Sequence, residues 1–535
     1  MKLRPWLQGA GLWMIYLLVL IGIVLAPGQE NLYHQLHPTW SLSRGILLDF
    51  ILMTALLGLG FYWLQRMRDS LLRRLAWLVV LLIAALSTDR ALGEYLQTFG
   101  IGIRSNPWTA HLPWILFGIA ALFLLLAPCA YRRLIQALEV FLLSAGLTTV
   151  FMIVPMLFRA GFRPQTPDRQ FFETAVAHPW QPGQTRVVWL LFDELSYNQV
   201  FDHPQPGLPL PAFDQLKRES VSFSQLQPIG DRTEHVIPAL LTGHSLPSVT
   251  SNWQGDLLWR SRKDERWHIF DPAATVFAKA QQDGWSTGIA GWYNPYCRLL
   301  ANDLNRCYWT YLDFASGNRF HRLSTERSAM ANAWNMLPFV TEAEDRLQGT
   351  NLSSEHVRDF ARLLPQSKAL LLDDRIRFAF VHLPLPHPPG IYVDPLSGYP
   401  DYLGNLVLAD RTLAELRAAI AATAAAKDTI LIVSSDHSWR VPSWRYDSSS
   451  WTPEEEKASN HGQFDPRPVL MIHFPGENTS TAVSIDHPAS AMLVHKLLLD
   501  IFAGRVTGPA DVERLAADGM EPEQPDAGER AGSKK

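Results

Sequence analysis

Cysteine and charge are both scarce in this chain. Three cysteines in 535 residues rule out a disulfide-stapled scaffold, and the absence of any CxxC or Cys/His cluster excludes a structural zinc module of that kind. Charged residues make up only 18% of the sequence, and the formal net charge of -4 comes without a basic stripe in the polar part. A nucleic-acid partner needs a concentrated basic face and is therefore excluded. Of the cysteines, Cys129 lies in an apolar run, while Cys297 and Cys307 are close enough in sequence either to close a small disulfide loop or to remain free thiols.

Apolar residues, at 47%, are distributed unevenly. The first 160 residues hold five long apolar stretches, at 9–26, 46–64, 75–86 with its flanks, 112–129 and 134–158. A membrane-spanning helix takes about 20 such residues, so the sequence predicts an N-terminal five-helix transmembrane bundle over 1–160. Basic residues cluster before the first stretch (Lys2, Arg4), between the second and third (Arg66, Arg68, Arg73, Arg74) and between the fourth and fifth (Arg132, Arg133). These loops would face the cytoplasm and leave the rest of the chain on the other side. The expected location is the bacterial inner membrane, multi-pass, with the catalytic part facing the periplasm or exterior. Asp49 and Glu139 fall within the stretches, where a carboxylate is costly and needs a partner.

Prolines at 164, 167, 179 and 182 mark a linker over 161–184. Apolar runs at 186–192, 377–381, 429–433 and 468–473 then read as buried strands, with the parallel pairing that continuous runs favour. Helical periodicity at 413–426 and 489–501 alternates with them. The expectation for 185–505 is an α/β domain with a central, mainly parallel sheet flanked by helices, followed by a disordered tail over 506–535.

Ligands of open α/β sheets bind beyond the carboxyl ends of the strands. Asp193 and Glu194 close the first run, His382 and His387 follow the second, and Asp436-His437 follow the third. Carboxylates and imidazoles of this kind suit zinc or manganese better than calcium or magnesium. Thr233 stands nine positions before Thr242-Gly243, at the start of a stretch able to form a short helix whose amides favour an anion. A hydroxyl that only caps such a helix is the plainer alternative. Trp292, Tyr293 and Tyr296 are expected in the core.

These pieces, in this order, resemble the alkaline phosphatase superfamily in its sulfatase-like branch. In that branch a Cys, Ser or Thr nucleophile precedes a Leu-Thr-Gly end, as Thr233 precedes Leu241-Thr242-Gly243. Pro386-His387-Pro388, the stretch 402–416 with Asp410, Ser435-Asp436-His437 and 468–476 are similar to its later motifs. The resemblance implies one divalent metal held by Asp193, Glu194, Thr233, Asp436 and His437. It implies Thr233 as nucleophile, His387 and His461 on substrate oxygens or leaving group, and Arg232 as a cation for phosphoryl oxygens.

Sulfatases oxidise a Cys or Ser to formylglycine in a motif ending Pro-x-Arg. Thr233-Glu-His-Val-Ile lacks both the convertible residue and that ending. The chain is instead similar to membrane-anchored phosphoethanolamine and phosphoglycerol transferases and lipoteichoic acid synthases, although the first of these tend to be rich in disulfides. The resemblance implies transfer of a headgroup phosphate from a membrane phospholipid donor, through a phosphoryl-threonine, to an envelope glycan or lipid acceptor. Two alternatives stand beside it: a sulfatase-like phosphate or sulfate ester hydrolase, and a non-catalytic membrane protein that uses the fold for binding.

Overall fold

A computed structural model describes residues 3–25, 40–97, 118, 128–161, 170–251, 256–260, 266–310, 352–392, 398, 401–446, 451–476 and 482–517. These fall into two compact units, one holding the described residues up to 161 and the other those from 170 onward.

The first unit contains the helices Arg4–Leu25, Trp40–Arg66, Leu71–Gln97 and Pro128–Gly161. Among the described residues, no helix is long and apolar enough to cross a membrane, which overturns the five-helix transmembrane bundle. The stretch at 112–129 lies outside the described residues except for 118, 128 and 129. Two physical reasons stand out. The helix Leu71–Gln97 carries Arg73, Arg74, Asp89, Arg90 and Glu94, so charges close in on its apolar run from both ends. Many of the apolar side chains also turn toward one another: Leu12, Ile15, Phe61, Leu64, Trp77, Tyr131, Ile135, Leu138 and Leu142 form one buried cluster. Glu139 pairs with Arg4. A Cβ on Gly11 would lie 1.9 Å from the Leu142 carbonyl oxygen, so these two backbones meet where only glycine fits.

The second unit is built on a nine-stranded sheet. Its strands are β1 (Phe171–Glu173), β2 (Arg186–Phe192), β3 (Val221–Phe223), β8 (Thr287–Trp292), β9 (Arg306–Thr310), β10 (Phe378–Leu383), β11 (Thr429–Ser435), β12 (Leu470–His473) and β13 (Val483–Ile485). Short β4 (Leu226–Gln227) pairs with β14 (Ala489–Ser490), and β5 (Ser248–Ser251), β6 (Leu257–Arg260) and β7 (His268–Ile269) form a separate sheet. The main order is β1-β9-β8-β10-β2-β11-β12-β3-β13. Strands β9 to β11 run parallel, whereas β12 is antiparallel to both β11 and β3. The mainly parallel α/β expectation therefore meets a mixed sheet, because a run buried on both faces fits either pairing.

β2 is central and buried at all seven positions. Each large apolar side chain there contributes roughly 1.5–3 kcal/mol by leaving water. Arg186, at its start, is also fully buried. It donates to the carbonyls of Ile376 (3.1 Å) and Leu371 (2.7 Å), and burial pushes its guanidinium down to about 10. Helices cover the sheet, including Leu352–Leu371, Asp401–Ala421 and Leu493–Phe502. Asp401–Ala421 begins before the expected 413, and Leu493–Phe502 starts after 489–490, which pair as β14.

Two boundaries differ from expectation. The 161–184 linker contributes edge strand β1, antiparallel to β9. The tail expected from 506 holds a helix at Pro509–Ala517 with Val512, Leu515 and Ala516 buried, while 518–535 lie outside the described residues. Cys297 and Cys307 form a disulfide, tying the turn Tyr296–Leu299 to β9.

Candidate functional site

The central parallel strands deliver the site at their carboxyl ends. Asp193 follows β2, His382 lies near the end of β10 in register with Leu191, and Asp436-His437 follow β11. Thr233 is the first residue of the helix Thr233–Thr242, which closes on Gly243 at φ 72°. A Cβ on Gly243 would lie 2.6 Å from the His495 ring, so glycine satisfies both the left-handed cap and the close packing.

Thr233 Oγ1 lies 2.8 Å from Asp436 Oδ2, 3.3 Å from Asp193 Oδ2 and 3.4 Å from His437 Nε2. His437 Nε2 lies 3.2 Å from Asp436 Oδ2 and 3.8 Å from Asp193 Oδ1. All four residues are buried. A hydroxyl has one proton and can donate to only one carboxylate. His437 Nδ1–H donates to the Ser438 carbonyl (3.0 Å), which leaves the Nε2 lone pair facing the same carboxylates. Acceptors are thus aimed at acceptors, and a cation between them removes the repulsion.

The spacing supports such an ion. A four-coordinate ion with bonds of roughly 2.0–2.2 Å needs donors about 3.3–3.6 Å apart. The separations among Thr233, Asp193, Asp436 and His437 scatter around that value. Among the described residues, Asp193 Oδ1 and His382 Nε2 are buried with no hydrogen-bond partner. Two groups of candidate ligands share Asp193, one with Glu194 and His437 and the other with His382 and Asp436. Burial, then the neighbouring Asp436 and Glu194, push the Asp193 carboxyl well above the usual range. The residues fit a divalent cation.

Surrounding bonds fix these donors. Asp436 Oδ1 accepts from the amides of His437 (2.8 Å) and Glu194 (3.2 Å), turning Oδ2 to the site. His382 Nδ1 lies 2.7 Å from the Tyr296 hydroxyl, which leaves Nε2 3.7 Å from Asp193 Oδ2. Burial pushes the His382 imidazole down to about 4, so it is neutral. As expected, Trp292 and Tyr296 are core residues, each about 1% exposed.

The structure places the other expected residues differently. Glu194 is next to the donors, but its carboxylate accepts from Arg440 Nε (2.5 Å) and from Trp444 Nε1 (2.9 and 3.1 Å). His387 Nε2 lies 3.0 Å from Arg440 Nη2, beside the site. Burial and the Arg440 charge hold His387 well below the ordinary histidine range. Arg232 has a 51% exposed side chain and pairs with Glu234 at 3.8 Å. His461 is not brought in: its side chain is 81% exposed and lies 3.8 Å from Glu456. Arg440 and Trp444 escape sequence reading because nothing local marks them. His382 leaves one signal, an imidazole within the apolar run of β10.

No protein-family model matches the chain, and no curated protein does. Among solved structures it is similar to a sulfatase from Pseudoalteromonas sp., at 13% identity over 60% of this chain and 68% of that one, with a TM-score of 0.38. It is similar to murine ectonucleotide pyrophosphatase/phosphodiesterase 5, at 12% identity over 62% and 99%, with a TM-score of 0.35. A protein of the alkaline phosphatase superfamily from Vibrio parahaemolyticus is similar at 16% identity over 61% and 68%, with a TM-score of 0.33.

Proposed function

We propose that this chain is a metal-dependent phosphoryl-transfer enzyme in which Thr233 becomes transiently phosphorylated. One observation carries the reading: the Thr233 hydroxyl sits among Asp193, Asp436 and His437 at hydrogen-bond distances, on the first turn of a helix. Asp193, Asp436, His437 and Thr233 would hold the divalent ion, zinc or manganese, with His382 beside them. When bound, the ion lowers the threonine pKa and neutralises charge on a phosphate ester. The Thr233 hydroxyl would release its proton to solvent water as Oγ1 attacks phosphorus. The bond to the leaving oxygen breaks, and the helix N-terminus faces the resulting phosphothreonine. A second oxygen nucleophile then takes the phosphoryl group and frees Thr233. Threonine offers no route to formylglycine, which favours phosphorus over sulfur.

The test is a rapid acid quench of metal-loaded protein with an activated phosphate ester, followed by mass spectrometry. We expect a phosphate adduct on Thr233, retained in Thr233→Ser and absent in Thr233→Ala. A phosphate ester turned over by Thr233→Ala at the wild-type rate would refute the covalent route. The acceptor separates the two enzyme classes. With a labelled phospholipid donor, label reaching a glycan or lipid hydroxyl defines a transferase, and label released only as free headgroup phosphate defines a hydrolase.

A further inference from the structure

Glu194 and Arg440 form a pair that the metal centre does not account for. The Glu194 carboxylate is fully buried, and both of its oxygens are taken by Arg440 Nε, the Arg440 amide (3.4 Å) and Trp444 Nε1. Its lone pairs are therefore committed, although it lies close enough to Asp193 and His437 to join a ligand group. Asp193 Oδ1 and His382 Nε2, by contrast, are buried without partners among the described residues. Glu194 also adopts φ 65°, a left-handed backbone that costs a non-glycine residue of order 1 kcal/mol or more. Its surroundings hold it there: the amide donates to Asp436 Oδ1 (3.2 Å) and the carbonyl accepts from Tyr402 Oη (2.9 Å). That conformation turns consecutive residues to different tasks, Asp193 to the donor cluster and Glu194 to the guanidinium.

Arg440 is anchored but not used up. Its side chain is 24% exposed, whereas that of Glu194 is closed to solvent. Of its five N–H groups, Nε donates to Glu194 and one Nη2 proton to His387 Nε2. Among the described residues, the other three have no partner. Trp444, which packs 5.8 Å from the guanidinium carbon, steadies the same group. Because Glu194 directly follows Asp193 and bonds to Asp436, the guanidinium it anchors lies beside the Thr233 donors. A planar fork with free donors next to a phosphoryl acceptor is suited to bidentate recognition of non-bridging oxygens. The same bond from Arg440 makes His387 Nε2 an acceptor, which ties that imidazole to the guanidinium.

We propose that Arg440 is the cation that binds the substrate's non-bridging phosphoryl oxygens, and that Glu194 is its positioning residue and not a metal ligand. This rests on the phosphoryl-transfer reading and replaces the part expected of Arg232.

The test loads full-length protein with zinc or manganese and measures metal per chain together with affinity for inorganic phosphate. We compare the wild type with Arg440→Ala, Arg440→Lys, Glu194→Gln and Asp193→Asn. Arg440→Ala and Glu194→Gln should keep the wild-type metal content while Asp193→Asn loses it. Phosphate affinity should fall roughly ten- to a hundredfold in Arg440→Ala. It should fall less in Arg440→Lys, which keeps the charge and loses the fork, and also in Glu194→Gln, whose amide still accepts from Nε. Circular dichroism shows whether each variant folds, and Arg440→Lys carries the test if Arg440→Ala does not. Wild-type phosphate affinity in the folded arginine variants, or metal loss in Glu194→Gln matching that in Asp193→Asn, would overturn the proposal. A wild type that takes up no divalent ion overturns the phosphoryl-transfer reading itself, and this proposal with it.

Discussion

At the scale of single residues, the site is a problem of surplus acceptors. Asp193, Asp436 and the His437 Nε2 lone pair converge on one hydroxyl, and one proton cannot serve them all. Replacing Asp193 or Asp436 with Asn removes charge while keeping shape, so each variant should lose most of its bound divalent ion in elemental analysis. Full metal occupancy in both variants would locate the ion elsewhere. These residues were legible from sequence because they close apolar runs, where an α/β sheet presents its chemistry. His461 was misplaced for the matching reason: the motif fixes a residue's order in the chain, while exposure is set by the loop, where its φ is 63°. Arg440 stayed invisible, since its pairing with Glu194 spans 246 positions.

At the scale of elements, one helix cap carries a titratable device. Glu455 is buried and completes a capping box with Thr452 on the helix Pro453–Ala458, while its Oε1 accepts from the Tyr402 amide (3.1 Å). Burial pushes its carboxyl up to about 7. A carboxyl raised in the folded state binds its proton more tightly there than in the unfolded chain. Its contribution to stability is therefore present at low pH and lost as pH rises from about 4.5 toward 7, on the order of 3 kcal/mol. Thermal melts between pH 4.5 and 8 should show Glu455→Gln missing this component; identical pH profiles for variant and wild type would refute it. The positions of β2, β10, β11 and β12 were readable because a strand buried on both faces is a continuous apolar run. Pairing direction was not, as the antiparallel β12 shows, because neither face records the neighbour's polarity.

At the scale of the molecule, the second unit organises a buried, acidic centre whose folding leaves like charges together. Adding zinc or manganese to metal-stripped protein should raise its melting temperature by several degrees once the ion is in hundredfold excess over its dissociation constant, about 2.7 kcal/mol of linkage. Thermal shift with and without a chelator measures it, and an unchanged melting temperature would count against a native ion site. The first unit teaches a different lesson. Five apolar stretches suggested membrane spans, yet no described helix is long and apolar enough, and the buried cluster around Trp77 shows those faces meeting one another. Composition reports that a surface seeks burial and does not report what buries it. By itself, the sequence determined four strands of the main sheet, the acidic and imidazole groups at the ends of three of them and the threonine opening a helix, since each is set by local pattern. Only the tertiary structure decided that the Thr233 hydroxyl lies within 3.4 Å of Asp193, Asp436 and His437, that Glu194 belongs to Arg440, and that the 161–184 segment feeds the sheet. Those contacts join positions up to hundreds of residues apart, and no local preference encodes which of them will meet.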